Sequence, residues 1–406
     1  MGYDEPGREA PVEPSSGVPA SGVPAAVLDN VFDDPFHGEP GRDRVGVHIG
    51  WEIVLLIGLA AVVWLLWRED PAVLRATALQ SLLVDVAALG LLVLAAGLSL
   101  RTAAVNLAIG PVAVAAGLHF AEQSDRGVLA AMAPAAVVAA IAGLLLGLAV
   151  VVLHVPGWAA SLAGAAGVIV YIEQRSAPVL VQGEYDPRRH AYYLVAGFAA
   201  VAVLGGLFGA IRPVRRLVGR FRPVADPARR RGAVAAVVTA GALIGSTLLA
   251  MLAGVLVAAN DAAPVAPTTG LDWTVLAVGV ALLAGTSAYG RRGGIFGTVF
   301  AVGLVCAFLA YVDVRDWTVS RWAVGGAVLG IGLLVTRLIE RYGRPGSPTV
   351  QTPEPSADGT ISSGWTVPGP VEDWPPVLPT PAAEAPLDPW RSPRWESEPR
   401  RWDDAR

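Results

Sequence analysis

The sequence predicts an all-α, polytopic membrane protein of about ten transmembrane helices, some short or broken, with disordered N- and C-terminal tails. Three observations predict it. Of 406 residues, 54% are hydrophobic and 16% charged, and the mean hydropathy is +0.53, too apolar for an ordinary soluble chain. The apolar residues are segregated into long Ala/Val/Leu/Gly runs that charged residues interrupt only briefly. The runs also have the length a bilayer demands, because a hydrocarbon core of roughly 30 Å takes about 20 helical residues at ~1.5 Å of rise each.

Three regions follow. Residues 1–45 form an acidic, Pro/Gly-rich tail, 46–342 the membrane domain, and 343–406 a Pro/Trp-rich tail carrying Trp365, Trp374, Trp390, Trp395 and Trp402. Neither tail can bury enough apolar surface to offset its chain entropy, so both are expected to be disordered. The first lacks the basic start and short apolar stretch of a signal peptide, which makes the run from Trp51 to Trp67 a retained anchor.

The ten candidate spans lie near 48–67, 82–100, 103–118, 128–153, 158–172, 192–211, 233–259, 273–289, 294–312 and 321–338. The first is the Trp-flanked anchor. The second holds Asp85 near its outer end. The third and fifth are short and Gly-interrupted, as half-helices shielded from lipid by their neighbours would be. The fourth, sixth and seventh carry the pairs Gly143/Gly147, Gly205/Gly209 and Gly241/Gly245, a small-xxx-small spacing that lets helix backbones approach. The ninth contains Cys306, the only cysteine, so no intrachain disulfide can form. A loose parallel repeat relates the second and third spans to the eighth and ninth, matching Ala96-Gly97 to Ala284-Gly285 and the run from Gly110 to that from Gly297.

Arginine sets the orientation. With both termini inside, the inner connections carry sixteen arginines, eight of them between 212 and 231, whereas the outer ones carry eight. The outer arginines are offset by acids such as Glu69, Glu122, Glu173 and Asp313. This bias predicts cytoplasmic N- and C-termini. All thirty basic residues are arginine, a composition of high-GC coding. The expected location is therefore the inner membrane of a bacterium, with the arginine-rich loop either anchoring to anionic lipid or docking a partner. Nucleic acid is not an expected partner, since that patch is short, membrane-tethered and holds one aromatic, Phe221.

The missing motifs exclude classes. Without lysine there is no Walker A loop, so the chain cannot by itself be a P-loop ATPase. No HExxH, CxxC or GxSxG occurs, and the five histidines lack metal-ligand spacing. No catalytic residue, metal ligand or resident cofactor is expected. Buried carboxylates, which ion coupling favours, are few: Asp85 and Glu173 both read better as interfacial residues than as relays. The deeper polar residues are neutral, namely Ser99, Thr102, Asn106, Ser161, Thr247, Thr286 and Ser287. They suit a neutral, hydrogen-bonding solute.

Residues 282–298 read Leu-Leu-Ala-Gly-Thr-Ser-Ala-Tyr-Gly-Arg-Arg-Gly-Gly-Ile-Phe-Gly-Thr. This resembles the Gly-Gly-Thr-Ser-x-x-Gly-Gly-x-Gly-x-x-x-Gly-Thr signature of permeases in ribose- and xylose-type ABC importers. Residues 103–110, Ala-Ala-Val-Asn-Leu-Ala-Ile-Gly, resemble that family's Gly-Gly-Ile-Asp-Leu-Ser-Val-Gly, and residues 155–164 its Ile-Pro-Pro-Phe-Ile-Val-Thr-Leu-Gly-Thr. The resemblance implies a translocation path near Asn106, Gly110, Thr286, Ser287 and Gly297. It also implies a second permease copy, a cytoplasmic ATP-binding subunit that hydrolyses the ATP, and an extracellular solute-binding protein. The ATPase contact would fall on Gly219, Arg220, Arg222, Asp226, Arg229, Arg230 and Arg231. That loop departs from the family: after Gly219-Arg220 it is about a dozen residues short and contains Pro223 and Pro227, which restrict a helix.

Asn106 stands where the sugar permeases have Asp, and the Asn-x-Ala-x-Gly pattern is closer to permeases for branched-chain amino acids or nucleosides. The leading expectation is a permease subunit importing a small neutral polar solute such as a monosaccharide. The rival is a degenerate membrane scaffold whose tails recruit partners, and an ion-coupled carrier ranks last.

Overall fold

The computed structural model describes residues 45–210, 233–287 and 294–343. Both tails and the loop bearing Gly219, Arg220, Arg222, Asp226, Arg229, Arg230 and Arg231 lie outside the described residues. Ten α-helices are described: α1 (Val45–Glu69), α2 (Ala76–Arg101), α3 (Ile109–Gln123), α4 (Val128–Val152), α5 (Gly157–Glu173), α6 (Ala191–Ala210), α7 (Ala233–Asn260), α8 (Leu271–Leu283), α9 (Gly297–Val314) and α10 (Arg321–Gly343). Among these residues no strand forms, and the one β-like contact is an isolated bridge, Val179 to Val265.

Seven helices, α1, α2, α4, α6, α7, α9 and α10, are long and apolar enough to cross a membrane. The chain is thus a multi-pass membrane protein by length and composition. Of the three others, α5 matches its expected segment to within one residue at each end, and two correct theirs. The third helix begins at Ile109, since 102–108 is an irregular loop. The eighth stops at Leu283, after 13 residues. That is about 20 Å of helix, short of a hydrocarbon core of roughly 30 Å.

Local chemistry fixes the ends. Asp70 and Asp186 each precede a proline and accept a backbone N–H two residues on, from Ala72 at 2.9 Å and Arg188 at 3.0 Å, starting short 3₁₀ turns ahead of α2 and α6. Of the helices that stop on a residue of left-handed conformation, three share one bonding pattern, at Ala103 after α2, Gly285 after α8 and Asp316 after α9. In each case the next N–H reaches back five residues, from Ala104 to Ser99, Thr286 to Ala281 and Trp317 to Val312. These are Schellman-type ends, which consume carbonyls the helix leaves open. They also revise the repeat: Ala96 and Gly97 lie within α2 whereas Ala284 and Gly285 end α8, so the left-handed Ala103 is the counterpart of Gly285. Gly110 and Gly297 do both sit in the first turn of a helix.

Burial separates core from rim. The apolar windows of α2 and α7 are 50% and 61% buried, against 17% for α1 and 22% for α4 and α6. Leu92, Val93, Leu243 and Val255 are enclosed, while Ile57, Val138, Leu145 and Phe208 point outward, as lipid-facing residues do. The face where α1 ends is here the upper face. It carries a girdle of exposed Trp64, Trp67, Tyr192, Tyr193, Trp317 and Trp322, the residues that favour a membrane-water interface. Three of its arginines are ion-paired: Arg315 with Glu69 at 3.1 Å, Arg175 with Glu122 at 2.6 Å, and Arg321 with Asp272 at 2.8 Å.

Small residues bring the core helices together. A side chain at Gly254 of α7 would overlap the Ala113 carbonyl of α3. The Gly254→Leu variant is therefore expected to lose about 1–3 kcal/mol by overpacking, read as a lower midpoint in thermal unfolding of the detergent-solubilised protein. Gly197→Leu, on the open surface of α6 where nothing lies within 4 Å, should leave the midpoint unchanged.

Candidate functional site

Two breaks interrupt the bundle, where the short helices α3 and α8 meet their neighbours in the chain. The first, residues 102–108 between α2 and α3, lies beside the middle of the 28-residue α7. Asn106, fully buried, organises it. Its Oδ1 accepts the Ala108 N–H at 3.0 Å, a turn just ahead of α3, and its Nδ2 donates to Ser246 Oγ at 3.1 Å. Ser246 passes its own hydrogen to the Ala95 carbonyl of α2 at 3.1 Å. From α5, Ser161 accepts the Leu107 N–H at 3.0 Å and donates to the Val105 carbonyl at 2.9 Å. From α8, Thr274 accepts the Gly110 N–H at 3.0 Å and donates to the Leu107 carbonyl at 3.1 Å. Gly110 has no room for a side chain because the Gly270 carbonyl already occupies it.

The second break lies between α8 and α9. Leu283 ends α8 against Gly332, the middle of the 23-residue α10. Thr286 and Ser287 are buried, and the Thr336 hydroxyl reaches the Thr286 carbonyl at 3.5 Å. From α1, the Trp51 indole N–H donates to the Leu283 carbonyl at 2.8 Å. The neighbouring Glu52 Oε1 accepts the Phe296 and Gly297 N–H groups at 2.8 and 3.1 Å.

A cleft of about 190 Å³ enters between these elements. Its walls include Leu92 of α2, Ala113, Val114 and Gly117 of α3, and Gly254, Val257 and Ala258 of α7. The chain from Asp261 to Thr268 folds back to close its side, held by the two hydrogen bonds of the Val179–Val265 bridge, at 3.0 and 2.8 Å. At the rim Arg321 lies 4.0 Å from the Trp273 ring centre while pairing with Asp272. A cluster nearby on the upper face joins Glu122, Arg175 and Tyr171; the hydrogen bond to Glu122 holds the Arg175 guanidinium above its usual pKa.

The five residues expected along a path thus divide in two. Asn106 and Gly110 belong to the first break; Thr286, Ser287 and Gly297 belong to the second. None of the five lines the cleft. Asp85 bonds Asn260 Nδ2 at 2.7 Å, within a cluster that also takes in Ser81 and Arg188 near the upper face. Glu173 is an exposed helix end. Among the described residues no group of three His, Cys, Asp or Glu could hold a metal. The partners Ser246, Thr274, Trp51 and Glu52 escape sequence reasoning, since nothing local marks a serine or a glutamate as bonded to a distant loop.

The Asn106 network makes a sharp demand. Asn106→Asp keeps the shape but presents an acceptor to Ser246 Oγ, so the serine must abandon either the new carboxylate or the Ala95 carbonyl. A buried polar atom left unmatched costs about 1–3 kcal/mol. The expected result is a lower unfolding midpoint for Asn106→Asp, recovered in part by Ser246→Asn, which can donate with its amide.

Neither the family models nor the curated proteins nor the solved structures compared with the chain match it.

Proposed function

We propose that this chain is the permease subunit of an ABC-type importer, taking a small neutral polar solute such as a monosaccharide through the bacterial inner membrane. The observation that carries the reading is the cleft at the upper face, whose wall at Ala113 lies one helical turn from Gly110 of the first break. Irregular backbone at membrane depth is tolerated where it is buried in protein or lines a pathway. The motif resemblance at 103–110 and 282–298 falls on the two breaks.

In this reading a solute-binding protein delivers the solute to the upper face, which is extracellular, and both termini are cytoplasmic. The cleft admits the solute, and Asn106, Gly110, Thr286, Ser287 and Gly297 shape the closure beneath it. A second permease copy completes the assembly. A separate ATPase drives the change between outward- and inward-facing states by binding them with different affinity; its contact is the loop containing Gly219, Arg220, Arg222, Asp226, Arg229, Arg230 and Arg231.

A second reading has its own observation. The hydrogen-bonding groups of Asn106, Ser161 and Thr274 are engaged inside the protein, which also suits a rigid membrane scaffold that recruits partners through its tails.

Uptake decides between them. Proteoliposomes holding this chain with its ATPase and binding protein should accumulate solute only with ATP. Val114→Trp, which fills the cleft, should cut uptake at least about tenfold, as blocking the proposed route requires. Competition by pentoses, nucleosides and branched-chain amino acids identifies the solute class. Absence of any ATP-dependent flux, with other proteins and no ATPase co-purifying at fixed stoichiometry, would establish the scaffold instead.

A further inference from the structure

The cleft is apolar where three helices face it and charged where the rest of the chain does. The walls given by α2, α3 and α7 are Leu, Ala, Val and Gly throughout, with no side chain that can form a hydrogen bond. The polar groups belong to other segments, Asp261 and Thr268 to the returning chain, Trp273 and Arg321 to the rim. Of the described lining residues, Asp261 and Arg321 alone carry charge, and their signs are opposite.

Each charge is held in place and keeps capacity to bond. Asp261 Oδ1 accepts the Ala263 N–H at 2.9 Å, which fixes the carboxylate, while Oδ2 has no hydrogen bond among the described residues. Arg321 gives one N–H, from Nη1, to Asp272 at 2.8 Å, and its guanidinium lies 4.0 Å from the Trp273 ring centre. A guanidinium has further N–H donors, and here the pair and the stack have already oriented them. The Arg321 side chain is 42% exposed and that of Asp272 only 12%, so the carboxylate supports the guanidinium from behind and leaves it facing the cleft mouth. A solute with hydroxyls on every side fits poorly, since those turned to the apolar walls would lose water without gaining a partner. A hydrocarbon body with both charges at one end fits well. The volume of about 190 Å³ is little more than the ~150 Å³ that holds a benzene ring, which limits that body to a handful of carbon atoms.

We propose that the cleft binds a small zwitterion, with its ammonium group on Asp261, its carboxylate on Arg321 and an apolar body on the walls of α2, α3 and α7. Trp273 is a positioning residue, because its ring holds the guanidinium. The inference rests on the transport reading and narrows its solute: the molecule is neutral because two charges cancel, rather than because it has none, as in a monosaccharide.

The test reads ligand protection rather than flux. In a Cys306→Ala background, Ala266→Cys places a thiol at an exposed position of the lining, and a membrane-impermeant maleimide is added to vesicles whose upper face is outward. Leucine should slow labelling at a concentration at least about tenfold below that needed of isoamylamine, which lacks the carboxylate, or of isocaproate, which lacks the ammonium. Ribose should not protect. Arg321→Gln should bring leucine to the level of isoamylamine while isoamylamine itself stays within about twofold, and Asp261→Asn should do the same with respect to isocaproate. Leucine ahead of glycine betaine assigns the head to a primary ammonium, and the reverse order to a quaternary one. Protection by neither zwitterion would overturn the proposal, as would protection by ribose at or below the leucine concentration, or equal protection by leucine and both its analogues. An equal loss for every compound in both variants would also overturn it, by making the two residues structural. If Arg321→Gln is not recovered from membranes, Asp261→Asn, at an exposed position outside the helices, carries the test. ATP-dependent uptake that ribose inhibits and leucine does not would sink the zwitterion and keep transport; leucine protection without any uptake would do the reverse.

Discussion

Backbone amides at membrane depth have no water to fall back on, and this constraint orders the molecule. Each unpaired group in hydrocarbon costs several kcal/mol (about 4–8 on a water-to-cyclohexane scale). Every place where a helix stops inside the bundle must therefore recruit partners from elsewhere in the chain. The first break recruits Ser161, Ser246 and Thr274 from three helices and turns Asn106 back on its own loop. The second recruits Trp51, Glu52 and Thr336 from two. Without these groups α3 and α8 would have to lengthen to reach the membrane surfaces.

The close helix contacts follow from the same requirement. A hydroxyl reaches a loop only if its helix is near, and near approach needs glycine. Gly157 at the start of α5 lies against the Ala104 backbone, which brings Ser161, four residues on, to the carbonyl of Val105. Gly270, in a left-handed conformation at φ +72, sets its backbone on that of Gly110 and places Thr274 on the next turn. Here the glycines and the hydroxyls act as pairs, one granting the distance and the other using it. Gly143 is a similar case: it faces α7 at Ile244, where Thr247 reaches across to the Ala139 carbonyl of α4 at 2.9 Å.

Much of this was legible in the sequence, and the limits have physical causes. Hydropathy located all ten helices because burial in lipid or core is a property of a contiguous run. It misplaced the start of α3, since Ala103, Ala104 and Val105 are as apolar as a helix and only the turn chemistry of Asn106 marks the boundary. The end of α8 was hidden for the same reason, although Gly285 is the residue a left-handed helix end prefers. The acids offset against outer arginines proved to be partners for Glu69 and Glu122. The cleft was not legible at all: Leu92, Ala113, Gly254 and Trp273 belong to four segments, and only the fold makes them neighbours.

What distinguishes the two breaks is how many independent elements must move to open each. The first is tied to α5, α7 and α8 at once, and α7 is the most buried of the spanning helices. Displacing these helices would strip partners from Leu107, Gly110 and Asn106 simultaneously, with no solvent to replace them. Among the described residues, the second is hydrogen-bonded to α10 once, at 3.5 Å, and to α1 by three shorter bonds. Since α1 is the least buried of the spanning helices, its displacement exchanges contacts with α9 for contacts with lipid, a substitution that changes little in hydrophobic free energy because lipid tails are as apolar as leucine. The cost is then concentrated in the bonds of Trp51 and Glu52. The first break is thus bound to three helices, while the described ends of α8 and α9 are joined through a peripheral one.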